Sequence, residues 1–164
     1  MVELTLIGVR VELPANQPIV LLKEREGERY LPIWIGAAEA TAIALAMQGV
    51  QPARPMTHDL MKNLLEELQV NLDKIVITDL LDGTFYSMIH LTRNGSSHEV
   101  SSRPSDAIAL AVRADIPIFA HEDVLVEASV VIREDDDDEP AEEQVEAFKE
   151  FLEQVNPEDF AGGD

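Results

Sequence analysis

The chain has 164 residues, 46% of them hydrophobic, no cysteine, and a formal net charge of −20. Length and apolar content suit one domain with a real core, and the missing thiols exclude disulfide frameworks, cysteine nucleophiles and thiolate metal sites. Of the 32 acidic and 12 basic residues, 14 and one fall in 134–164, leaving 18 and 11 in 1–133; the body is mildly acidic, without the basic stripe that grips phosphates.

Residues 3–13 alternate as a strand, and Pro14-Ala15-Asn16-Gln17-Pro18 connects them to a second strand at 18–25. Tyr30 to Ile35 gives a third, with Pro32 marking an edge or a bulge because it lacks an amide hydrogen. Gly36 then releases the chain into a small-residue helix over 37–48, and a second helix follows at about 57–69, with Leu60, Leu64, Leu65 and Leu68 at helical spacing. Ile75-Val76-Ile77 opens a further strand, Asp82-Gly83 signals a type I′ hairpin, and Asn94-Gly95 supplies the next turn. The strand at 97–102 leads into a second small-residue helix ending near Ala114. A short strand at Pro117–Ala120 and a helix over Glu122–Ala128 complete the body.

Ala42-Ile43-Ala44-Leu45-Ala46 returns unchanged as Ala107-Ile108-Ala109-Leu110-Ala111, each time after three strand-like segments. The expectation is an α+β domain built from internally duplicated β-β-β-α units, spanning 1–133. An acidic linker follows at 134–143. The remainder, 144–164, places Val145, Phe148, Phe151, Leu152 and Val155 on one stripe of a C-terminal amphipathic helix. Met1-Val2-Glu3-Leu4-Thr5 lacks the basic start and apolar run of a signal peptide. No apolar stretch approaches the ~20 residues that cross a bilayer, so a cytoplasmic protein with no membrane partner is expected.

Two polar clusters stand at helix starts. In Arg54-Pro55-Met56-Thr57-His58-Asp59, His58 reads as a general base or metal ligand, and Asp59 as its orienting group or a cation ligand. The alternative is structural: Thr57 as N-cap, Asp59 complementing the helix dipole, and Arg54 pairing with it. Arg103-Pro104-Ser105-Asp106 has the same form. Free amides and the dipole suit a phosphate there, with Arg103 as clamp, or else the cluster is capping plus an Arg–Asp pair. Glu39 is a third carboxylate near a helix start. Trp34, the single tryptophan, is a base-stacking candidate or a core or interface aromatic. His90, His98 and His121 have no metal-ligand spacing, and no HExxH, P-loop, GxSxG or GxGxxG is present.

Taken in order, Leu31-Pro32-Ile33-Trp34-Ile35-Gly36 with Glu39-Ala40, Arg54-Pro55 with Thr57-His58-Asp59-Leu60, Asp82-Gly83-Thr84-Phe85-Tyr86, and Arg103 to Ala111 resemble the bifunctional nuclease family. The resemblance runs from about residue 3 to 130, and the tail is similar to the extension of actinobacterial members. It implies an α+β domain, often dimeric, with nuclease activity toward DNA and RNA. The roles come from the two clusters and Glu39 themselves: for a metal-assisted nuclease, His58, Asp59 and Asp106 are the candidates for catalysis, Arg54, Arg103 and Ser105 for binding phosphate, and Asp59, Asp106 and Glu39 for holding Mg²⁺ or Mn²⁺. A homodimer through Ile33, Trp34 and Ile35 is expected. The alternative is a non-catalytic regulatory or binding module that uses the same pocket for an anionic ligand or a protein segment.

Overall fold

The computed structural model describes residues 1–132. The acidic linker and the C-terminal amphipathic helix expected beyond them lie outside the described residues. Eight strands form one sheet: β1 (Val2–Glu12), β2 (Gln17–Glu24), β3 (Arg29–Trp34), β4 (Asn71–Leu81), β5 (Thr84–Arg93), β6 (Ser96–Ser102), β7 (Ile118–Ala120) and β8 (Val130–Val131). Four helices accompany them: α1 (Ala37–Met47), α2 (Thr57–Glu67), α3 (Pro104–Ala114) and α4 (Glu122–Ala128). The strand order is β6-β5-β4-β7-β1-β2-β3-β8.

That order displays the duplication. β1-β2-β3 and β4-β5-β6 are two antiparallel meanders, each followed by an 11-residue helix, α1 or α3. The meanders run outward from the centre, and β7 lies between them, parallel to β4 and antiparallel to β1. Asp82 and Gly83, like Asn94 and Gly95, have positive φ at both central turn positions, as the type I′ geometry of a two-residue hairpin requires.

One sheet face supplies the core. Leu4, Val20, Leu22, Leu31, Ile33, Ile75, Ile77, Ile89 and Ile118 alternate inward with period two and form a single buried cluster with residues of α1, α3 and α4. The repeated small residues have a packing reason. Ala40 to Ala44 of α1 and Ala107 to Ala111 of α3 are all buried, and their short side chains let the two helices approach each other over the sheet. Truncating Leu31 or Ile108, both fully buried, costs about 2–5 kcal/mol through lost transfer energy and the cavity left behind.

The structure adds the orientation of α2 and corrects two expectations. The leucines of this segment lie outside the core: His58 is the buried residue of α2, while Leu60 and Leu64 of α2 and Leu68, just past its end, are 50%, 53% and 54% exposed. Thr57 is the first helical residue and not the cap. Met56 takes the N-cap position, and the Asp59 carboxylate accepts from its amide at 2.9 Å. Ile33 and Ile35 are buried within their own chain, leaving Trp34 as the exposed member of the expected contact. Pro32 does fall where its missing donor is harmless, because β8 pairs only with Arg29 and Tyr30 of β3.

Candidate active site

The site forms where the starts of α1, α2 and α3 converge. Arg103, the N-cap residue of α3, donates from Nε to Asp106 Oδ2 at 2.8 Å and from Nη2 to Glu39 Oε1 of α1 at 2.9 Å. Asp106 Oδ1 lies 2.9 Å from His58 Nε2 of α2. Glu39, Arg103, Asp106 and His58 are thus one continuous chain of hydrogen bonds across three helices and both halves of the duplication. The guanidinium stands outermost: its side chain is 65% exposed, against 17% for Glu39 and 24% for Asp106. Nη1 of Arg103 has no acceptor among the described residues.

Burial alone would raise the Asp106 carboxyl, but the Arg103 and His58 bonds outweigh it and hold the pKa below the usual carboxylate range. An ionised Asp106 can only accept, so Nε2 of His58 carries the shared proton. In the neutral imidazole this leaves Nδ1 as an acceptor. Nδ1 has no hydrogen-bond partner among the described residues, and no fully buried side-chain nitrogen or oxygen there lacks one. Nδ1 therefore reaches solvent. Arg103 itself is raised by the Asp106 and Glu39 bonds.

Asp59 is placed elsewhere. Its Oδ1 accepts from Arg113 Nε at 2.7 Å, and Arg113 also donates to the carbonyls of Ala109 and Ala42, at 2.9 and 3.0 Å. Burial works against the Asp59 charge, while Arg113 and the Met56 amide favour it more strongly, so its pKa is also lowered. Arg113, with a side chain 8% exposed, ties α2, α3 and α1 together. The sequence held one signal for it: Arg113 stands seven residues after Asp106, on the same face of a helix. Arg54 is exposed, in the link between α1 and α2, and makes no hydrogen bond or ion pair among the described residues.

A cleft of about 350 Å³ opens beside Arg103 and Ser105. Trp34 and Gly36, from the junction of β3 with α1, are among its lining residues. Gly83 of the β4–β5 turn and Thr84 at the start of β5 line it as well. Gly36 has a local role: a Cβ there would sit 2.2 Å from Glu39 Oε2, so the missing side chain leaves the room in which Glu39 reaches Arg103.

The three carboxylates assigned to a cation do not converge. Asp59 faces Arg113, Asp106 and Glu39 share Arg103, and no group of three or more metal-ligating side chains exists among the described residues. Asp106 and Glu39 are the two of these carboxylates that lie near each other, both bonded to Arg103, so the donor set fits a cation at most through that pair.

The molecule is thus a duplicated α+β domain with a polar cluster and a cleft where its halves meet. The model of the bifunctional nuclease domain matches residues 20–133, more than half of the chain. The chain belongs to the bifunctional nuclease domain family. An uncharacterized protein of Mycobacterium tuberculosis is 49% identical over 162 residues, covering 96% of this chain and 97% of its own. Bifunctional nuclease 1 of Arabidopsis thaliana is 31% identical over 108 residues, 63% of this chain but 33% of that protein. Bifunctional nuclease 2 of Oryza sativa subsp. japonica is 28% identical over 118 residues, 70% of this chain and 36% of its own. No helix among the described residues is long and apolar enough to cross a membrane.

Proposed function

We propose that this protein hydrolyses phosphodiester bonds of DNA and RNA at the Glu39–Arg103–Asp106–His58 chain. The observation that carries the reading is His58: a buried imidazole held by an ionised carboxylate, with its second nitrogen reaching solvent. In the step proposed, His58 Nδ1 takes a proton from water as the water oxygen forms a bond to phosphorus. The phosphorus–O3′ bond breaks, and the imidazolium returns the proton to the leaving oxygen. Arg103 offers Nη1 to a non-bridging phosphate oxygen, fixed in place by its two carboxylates. Asp106 orients His58. Asp59 positions the same helix through Arg113.

Mg²⁺ or Mn²⁺ at Asp106 and Glu39 would supply charge neutralisation when bound. The test is the purified full chain with labelled single- and double-stranded DNA and RNA, with EDTA and with each cation added back. Hydrolysis that persists when His58→Ala, Asp59→Asn and Asp106→Asn are combined overturns the reading.

A second reading, a binding module without turnover, is favoured by one observation: Arg103, the arginine of the cluster, is already neutralised by two carboxylates on a mildly acidic body. Saturable nucleotide binding with no product in the same assay selects it. For assembly we infer a homodimer, with the outward Leu60 and Leu64 of α2 and Leu68 just past its end as its apolar surface, since an uncovered stripe of that kind is costly in water.

A further inference from the structure

We propose that the cleft between the two halves is a subsite for one unpaired nucleotide, with its base against Trp34 and its phosphate on Arg103 and Ser105. This rests on the reading of the neighbouring cluster as a nucleic-acid site, and it adds a preference for single strands.

Four features of the cleft point the same way. Its volume, about 350 Å³, is at the small end of ligand pockets. Trp34, a residue 54% exposed, lines the cleft, and a base must leave its duplex partner before it can stack on an indole ring. Arg103 lines the same cleft with an unused donor on a guanidinium that two carboxylates hold still.

Ser105 is the fourth feature. The residue is 6% exposed, yet its hydroxyl has no hydrogen-bond partner among the described residues, and no fully buried side-chain oxygen there goes unpaired. Its oxygen therefore reaches solvent, and the residue lines the cleft, where the hydroxyl is free to donate to a ligand. The Ser105 and Asp106 amides lie in the first turn of the 11-residue α3, ahead of the first helical bond, which Ala107 makes to the Arg103 carbonyl at 3.1 Å. Hydroxyl, guanidinium and first-turn amides together suit a phosphate. Glu39 and Asp106 are the opposing charges, and each is bonded to Arg103.

The test uses the full chain. Trp34 is the only tryptophan, so its fluorescence reports on the subsite directly. A short single-stranded deoxythymidylate oligomer is expected to quench it saturably, and a duplex of equal length to quench it far less. With a labelled oligomer and anisotropy as readout, Trp34→Ala, Arg103→Gln and Ser105→Ala each weaken binding, Trp34→Ala by about tenfold or more. Trp34→Phe keeps a ring and retains binding, and thermal melting verifies that each variant is folded. Absence of quenching, equal duplex binding, or unchanged affinity in both Trp34→Ala and Ser105→Ala overturns the subsite. Binding without hydrolysis keeps the subsite and removes the catalytic proposal. Hydrolysis of single strands unimpaired in Trp34→Ala and Ser105→Ala removes the subsite and keeps the catalytic proposal.

Discussion

His58 and Asp106 lie 48 residues apart in sequence and meet at 2.9 Å, each at the start of its own helix. The contact crosses from α2, in the link between the halves, to α3 in the second half. It forms only when α2 is packed against α3. His58→Ala removes the proposed base, and Asp106→Asn keeps the shape while weakening the grip on the imidazole. Each is expected to lower hydrolysis by about 10²–10⁴-fold. Rates on a labelled oligonucleotide, with circular dichroism to verify folding, check this; a rate within twofold of the parent for both would refute it.

Acid sensitivity follows from the two lowered carboxylates, Asp59 and Asp106. A group whose pKa is depressed on folding binds fewer protons in the folded state. It stabilises the fold fully above its unfolded value of about 3.9, and that contribution is lost as pH falls through the folded value. Asp59→Asn should flatten this acid limb and, by leaving the buried Arg113 without its anion, lower neutral stability by about 1–3 kcal/mol. Urea midpoints across acid pH test it. An acid limb unchanged in the variant counts against the assignment.

Gly36→Ala probes the cleft without touching a charge. The backbone there is extended, with φ −75 and ψ 159, so alanine fits the conformation, and the N-cap exchange costs at most about 1 kcal/mol. The added methyl meets Glu39 Oε2 and turns that carboxylate away from Arg103. The expectation is an activity loss close to that of Glu39→Gln, with a melting temperature near the parent's. Full activity in Gly36→Ala would show that Glu39 does not position Arg103.

For assembly, Leu60→Glu with Leu64→Glu should convert a dimer to a monomer without unfolding it, since both side chains are half exposed already. Light scattering at micromolar concentration decides, and a parent chain that is itself monomeric ends the proposal.

The meanders and turns were legible because their signals are local. Asp82-Gly83 can hardly do anything but turn, and the repeated alanine core of α1 and α3 announced a shared packing role. The α2 stripe shows where that reasoning stops: Leu60, Leu64 and Leu68 have helical periodicity, but periodicity does not say which side of a helix faces the sheet. Thr57 lost the cap to Met56 because Asp59, at N3, reaches back to the preceding amide. Arg113 was missed because its three acceptors lie on α2, on α1 and one turn back along α3. His58, Asp106, Arg103 and Glu39 could be named from sequence as chemically apt. Their union, and the separation of Asp59 and Arg54 from it, depend on helix packing.

The insertion of β7 has a consequence for how the molecule comes apart. The two meanders share no strand-to-strand pairing; three residues, Ile118, Phe119 and Ala120, pair with Val2–Leu4 on one side and Ile75–Ile77 on the other. The continuity of the whole sheet thus hangs on a segment delivered late in the chain. Amide protons at this seam should exchange only by global opening, whereas a proline at Phe119, by breaking the seam, would let each meander fray on its own schedule and turn one cooperative unit into two.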